Sequence, residues 1–151
     1  MNYLLDSMID GKTIKKYESF NRFKELESIL LEHDGDQVDQ VFEEDIDQLI
    51  ERGDFYDSDD HSIILNEMDP SKCHRNSATF YENWMDQNNS PDEISLMTGW
   101  ALGIDDNVWR QHSWIYFPYD GEIIETTTLR KSYYGIELKG RKLEDFLFDN
   151  Y

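Results

Sequence analysis

The period of the apolar residues changes partway along the chain, and this change restricts the fold more than any other feature of the sequence. Up to about residue 90 most apolar positions recur at helical spacing. From Ile94 onward they fall in runs of aromatic and β-branched residues separated by turn clusters. Ile14, Tyr17, Phe20, Phe23, Leu26 and Leu30, three or four apart, predict one helix ending near His33-Asp34-Gly35. Val38, Val41, Phe42, Ile46, Leu49 and Ile50 predict a second, stopped by Gly53, with Glu43, Glu44, Asp45, Asp47 and Glu51 on its solvated outer face. Residues 54–61, DFYDSDDH, have no period and read as a loop, and Ser62 to Leu65 reads as a short strand. Asp69 or Ser71 is the expected N-cap of a third helix, with Pro70 suited to its first position. That places Cys73 in the first turn and Phe80 and Trp84 on the inner face, with a stop around residues 88–91.

Ile94 to Leu102, Val108 to Phe117 and Glu122 to Leu129 then predict an antiparallel meander. A fourth strand is read at Tyr133 to Leu138 and a closing helical turn at Lys142 to Phe148. The expectation is one α+β domain in which an acidic helical pair (1–53) precedes a core (62–138), closed by residues 139–151. In that core the Cys-bearing helix packs on an antiparallel sheet of three to five strands.

Charge narrows the function classes. The 151 residues carry 33 acidic and 14 basic side chains, a formal net charge of -19, and residues 1–70 hold 20 of the acids against six of the bases. So negative a surface repels phosphate backbones and anionic headgroups, so neither nucleic acid nor membrane is an expected partner. With 38% hydrophobic and 14% aromatic residues the chain still has apolar mass for a core. No apolar run approaches the roughly 18 residues of a membrane span, and the start, MNYLLDSMIDGK, lacks the basic and long apolar regions of a signal peptide. The expected setting is cytoplasmic. The single cysteine fits a reducing compartment and cannot form an internal disulfide.

Three residues converge on one chemistry. A cysteine near a helix N-terminus meets unpaired N–H groups and the positive end of the macrodipole, which favour a thiolate and can receive an oxyanion. His112 lies within a strand, and alternation places Val108, Arg110, His112, Trp114 and Tyr116 on one face. A turn of about four residues, Phe117 to Asp120, pairs His112 with Glu125, whereas a two-residue turn moves the partner to Thr127 or Leu129. All three candidates share that face. Cys73 as nucleophile, His112 as base and Glu125 as orienter, with Thr127 as substitute, form the minimum set for thiol catalysis.

A cysteine at a helix start, then a histidine on one strand and an acid on the next, resembles the core of the papain-like cysteine hydrolase superfamily, in its NlpC/P60-like and transglutaminase-like branches. The strings Cys73-His74-Arg75-Asn76, Thr98-Gly99-Trp100, His112-Ser113-Trp114 and Glu125-Thr126-Thr127 also resemble a group of small bacterial and phage proteins, over about residues 68–138. The resemblance implies a Cys73–His112–Glu125 triad. It implies a peptidase, amidase, deamidase or acyltransferase acting on a peptide or other amide, with no cofactor. His74 and Asn76 are read as helpers of the backbone N–H groups at the oxyanion, and Trp100, Trp114 and Thr127 as substrate-side residues. Papain's own Cys-Gly-Ser-Cys-Trp string is absent.

Other readings stand beside this one. A lone cysteine can be a small buried hydrophobe, and the aromatic set, Trp100 and Trp114 included, can be core rather than a groove for a peptide or glycan chain. Cys73, His74, His112 and Glu125 are zinc-ligand types, but adjacent Cys and His seldom face one ion and no spaced ligand pair is present, so no metal is expected. The rival function is an acidic binding or inhibitory protein, of immunity, anti-defence or nucleic-acid-mimic type, whose N-terminal half recognises a basic partner.

Overall fold

The computed structural model describes the backbone of residues 11–151 and the side chains of residues 19–151. The first helix, α1 (Gly11–His33), buries Phe23, Leu26 and Leu30 and leaves Phe20 half exposed. The side chains of Ile14 and Tyr17 fall outside the described residues. The expected second helix is shorter than its spacing suggested. Gln37–Val38 is instead a strand, β1, and only Ile46–Arg52 is helical (α2), ended at Gly53, whose N–H donates to the Leu49 carbonyl. Asp54–Asp57, expected as loop, is strand β2, and Ser62–Leu65 is β3.

The third helix, α3 (Cys73–Asn88), starts later than either expected cap, because Ser71 takes a left-handed backbone (φ 60°) and Lys72 occupies the cap position without a side-chain bond. Strands β4 (Ser95–Gly103), β5 (Val108–Phe117), β6 (Glu122–Glu125) and β7 (Arg130–Glu137) follow, then α4 (Gly140–Asn150), longer than the single turn expected.

The fold is α+β, with four helices among the described residues, but the sheet is larger and less regular than the three to five antiparallel strands expected. It has seven strands in the order β2-β7-β4-β5-β6-β3, with β1 beside the start of β5. The sheet is mixed, since β1 runs parallel to β5 and β3 parallel to β6. The added strands are two to four residues long and are held by long-range pairing, such as Asp54–Asp57 against Ser132–Gly135.

Alternation along β4, β5 and β7 sorts their side chains onto two faces. One face carries Trp100, Leu102, Trp109, Tyr134 and Ile136 under α1 and α2, and Leu96 and Ile115 under α3 and α4. The other carries Met97, Ala101, Trp114 and Tyr133 in a separate cluster with Ile123. His112 belongs to this second face.

Two strands share one edge of β5. β1 pairs with Val108 and Trp109, and β6 pairs with Ile115, Tyr116 and Phe117, so residues 110–114 have no strand on that side among the described residues. α3 packs along β5, bringing Phe80 and Trp84 onto Phe117 at its far end and its own N-terminus beside the unpaired stretch. The helix start thereby reaches the strand that holds His112.

On the His112 face, Gly99 on the neighbouring β4 and Gly135 on β7, one strand farther, lie level with His112. A Cβ on Gly135 would stand 2.5 Å from both the Thr98 carbonyl oxygen and the Trp114 ring, so the absent side chain gives Trp114 its place. Gly135→Ala is expected to cost about 2 kcal/mol through overpacking and to lower the urea midpoint accordingly. An unchanged midpoint would show that Trp114 does not depend on that space.

Candidate active site

The hairpin between β5 and β6 sets the position of the first two groups. Phe117 pairs with Glu122, so the turn is residues 118–121, one place later than the four-residue turn considered from sequence. Continued along β5, this register sets His112 opposite Thr127 and Glu125 opposite Trp114. His112 and Glu125 are therefore diagonal neighbours on one face, within reach of long side chains. The His112 Nε2–H donates to Glu125 Oε1 at 2.8 Å, with the two side chains 2% and 0% exposed.

Glu125 gathers further donors. The Tyr133 hydroxyl donates to the same oxygen at 2.7 Å, and the Thr127 N–H and hydroxyl donate to Oε2 at 3.0 and 2.8 Å. Burial pushes the Glu125 carboxyl up, but the hydrogen bond and charge of His112, with the Tyr133 and Thr127 donors, outweigh it and hold the group down at about 2. Thr127 braces the orienter instead of replacing it. Burial of its hydroxyl, and then the same carboxylate, raise Tyr133 far above its ordinary value, so Tyr133 stays a donor.

Cys73 is the first residue of α3 and is partly exposed. Burial pushes its thiol up, but hydrogen bonds to His112 and His74 and the charges of both rings bring it down to about 5. With Nε2 of His112 held by Glu125, the nitrogen left for the sulfur is Nδ1. His112 moves the opposite way: burial lowers it, while Cys73 and Glu125 on its two sides raise it above the ordinary value. The arrangement favours a thiolate beside an imidazolium, itself beside a carboxylate. The N–H groups of the first turn of α3, which lack a side-chain cap, stand next to the sulfur.

His74 is a second imidazole at the same sulfur, with Nδ1 3.9 Å from Cys73 Sγ. Its Nδ1 is also hydrogen-bonded to Ser113 Oγ, and Ser113 is linked to Thr98 Oγ1 at 3.4 Å. The Phe146 ring stands edge-on against it. His74, Thr98, Gly99 and Gln111 line a cleft of about 410 Å³ whose walls come from Phe42–Asp45 and from α4.

The other expected site residues are placed elsewhere. The Asn76 amide donates to the Asp69 carbonyl at 2.7 Å and holds the segment before α3. Trp100 is fully buried on the opposite face, packed edge-on against Phe23. Trp114 is fully buried but lies beside the site, its ring nearly parallel to that of His112 at 6.2 Å between centroids. Neither tryptophan is on an open groove.

Four neighbours of the site were not anticipated as such. Ser113 was in principle legible, because strand alternation turns it away from His112 toward the helices. Tyr133 and Thr98 depend on pairing across strands, which local sequence does not reveal. Glu43, expected on a solvated face, is 9% exposed, pushed up by burial and bonded to the Asp45 N–H and to Gln111. Among the described residues no group of three or more His, Cys, Asp or Glu is placed to hold a metal ion, and no helix is long and apolar enough to cross a membrane. No family model, curated protein or solved structure matches the chain.

The lowered thiol fixes a pH dependence. An unfolded cysteine titrates at about 8.5, so between pH 5 and that value the folded state binds the smaller number of protons. The contribution of Cys73 to stability is complete above that window and is lost as pH falls through 5. Urea titrations of the unaltered protein and of Cys73→Ser should therefore show a stability difference that grows in favour of the thiol between pH 5 and 8.5, with a difference constant in pH excluding the thiolate. In Glu125→Ala four donor groups lose their buried acceptor, with an expected loss of about 3–5 kcal/mol by the same measurement.

Proposed function

We propose that the protein is a thiol-dependent hydrolase or acyltransferase acting on an amide-type bond through Cys73, His112 and Glu125. The observation that carries this reading is a buried imidazole that is held by a fully buried carboxylate and acts on a partly exposed thiol at a helix N-terminus without a side-chain cap. A core histidine satisfied by one partner needs no thiol on its other nitrogen. A cysteine serving only as a small hydrophobe would be raised by burial, not lowered.

In the proposed reaction the Cys73 thiolate attacks the carbonyl carbon of the substrate. The first-turn N–H groups of α3 receive the oxyanion, and the His112 imidazolium, oriented by Glu125, balances the charge on sulfur. The chain order of cysteine helix, histidine strand and acid strand agrees with the papain-like resemblance. The diagonal His112–Glu125 contact gives the acid the orienting role that resemblance implies. The cleft beside His74 has the size of a pocket for a side chain or short segment.

Alkylation by iodoacetamide tests the nucleophile. A lowered thiol pKa raises the thiolate fraction but also reduces intrinsic nucleophilicity, and at neutral pH the two effects nearly cancel. Mildly acidic solution separates them. At a pH of about 5.5, Cys73 is expected to react about tenfold faster than free cysteine, and His112→Ala should bring the rate down to the free-thiol level and move the inflection upward. A rate at pH 5.5 no greater than that of free cysteine would refute the proposal.

A further inference from the structure

The two imidazoles at Cys73 differ in what they can reach. His112 is 2% exposed, with one ring nitrogen on Glu125 and the other left to the sulfur; like Cys73 it does not line the cleft, but unlike Cys73 it has almost no surface of its own. It can hold a thiolate, but it presents no surface to a water molecule or departing group in the cleft. His74 is partly exposed, forms part of the cleft wall and has its Nδ1 at 3.9 Å from the same sulfur. Its ring is fixed from behind by Ser113, which is tied to Thr98 across β4, and from the side by Phe146. These contacts account for Nδ1 and leave Nε2 without a partner among the described residues.

We infer that His74 is a second catalytic residue, the acid and base on the open side of Cys73, and that the cleft it lines receives the leaving group and then the attacking water. The inference rests on the proposed nucleophilic role of Cys73. In the acylation of an amide, the C–S bond forms as the C–N bond breaks, and the His74 imidazolium gives its proton to the departing amine. Neutral His74 then takes a proton from water as the water oxygen bonds to the acyl carbon. The C–S bond breaks, the thiolate returns to His112, and His74 is again protonated. His112 remains charged throughout, as its position between a carboxylate and a thiolate favours.

Ser113 and Thr98 are positioning residues for His74, as Glu125 is for His112. The cleft floor at Gly99 and Gln111 and the Phe42 and Phe146 walls bound the space in which the departing group would sit.

p-Nitrophenyl acetate tests this division, because its acylation needs no acid for the leaving phenolate whereas its turnover needs a base for water. The unaltered protein is expected to release a burst of p-nitrophenolate followed by steady turnover. His74→Asn keeps a polar group where Nδ1 meets Ser113 but has no basic nitrogen. It should retain the burst and lose about 10²-fold in steady-state rate, with the ionisation of the base disappearing from the pH profile of turnover. Unchanged turnover and profile in this variant would overturn the role of His74 while leaving Cys73 as nucleophile. Absence of a burst from the unaltered protein would overturn both. If His74→Asn does not fold, Ser113→Ala carries the same comparison, with turnover slowed about tenfold and the burst kept as the supporting result, and equal turnover as the refuting one.

Discussion

The site depends on a carboxylate with no exposed surface. A buried charge of this kind is costly unless donors surround it, and Glu125 has four: the His112 ring, the Tyr133 hydroxyl, and the N–H and hydroxyl of Thr127. Each comes from a different structural requirement. His112 is set by the β5–β6 register, Tyr133 by the pairing of β7 with β4, and Thr127 by the chain turning back on Glu125 two residues after it. The last contact coincides with the end of β6. Glu125 is the final residue of that strand, and beyond it the backbone bonds run to the extension of β3, through Asn66 and Met68, and no longer to β5. The unpaired stretch of β5 beside which α3 begins follows from this departure.

The same carboxylate determines the charge state of the rest. It fixes the His112 ring by accepting a hydrogen bond from Nε2–H, and its negative charge favours the imidazolium, which in turn favours the thiolate. Trp114 limits the ring further by lying nearly parallel to it, and Trp114 needs the absence of a side chain on Gly135. A position on β7 therefore controls the aim of a ring on β5 without touching it. Such indirect dependence is characteristic of a packed interior, in which a displaced side chain finds no free volume.

The elements that could be read from sequence are those stabilised largely by their own local pattern. The stripe of Phe23, Leu26 and Leu30 marks α1, the αL residue Asn89 closes α3 where the Asn88-Asn89-Ser90-Pro91 cluster indicated, and the long strands β4 and β5 are runs rich in apolar and aromatic residues bounded by turn clusters. The elements that escaped are short and owe their form to distant partners. Val38 has helical spacing to Val41 and Phe42, yet it is buried in a two-residue strand beside Trp109, while Val41 and Phe42 remain exposed. DFYD contains two acids and no run of β-branched residues, and it becomes a strand because β7 offers an edge to it. At the site, parity placed His112 and Glu125 on one face, which holds for any even shift of register. The diagonal geometry required the turn itself, and the commitment of Asn76 to Asp69 required the backbone before α3, where Ser71 is left-handed.

The overall charge makes the local arrangement more demanding. A chain with a formal net charge of -19 sets a negative potential around every group it carries, and that potential opposes a thiolate. At physiological ionic strength the field of exposed carboxylates is largely screened beyond about 8 Å, whereas buried neighbours are screened much less. Among the described residues most acids of the first half are exposed and so meet this screening, Glu43 in the cleft wall being a buried exception. His112 acts on Cys73 as an immediate neighbour whose own ring is fully buried. A weakly screened contact of opposite charge outweighs many screened like charges, so a strongly acidic protein can hold an anionic sulfur at its surface. For the same reason the imidazoles must be adjacent to the sulfur, since a basic residue one shell farther out would be lost in the surrounding negative field.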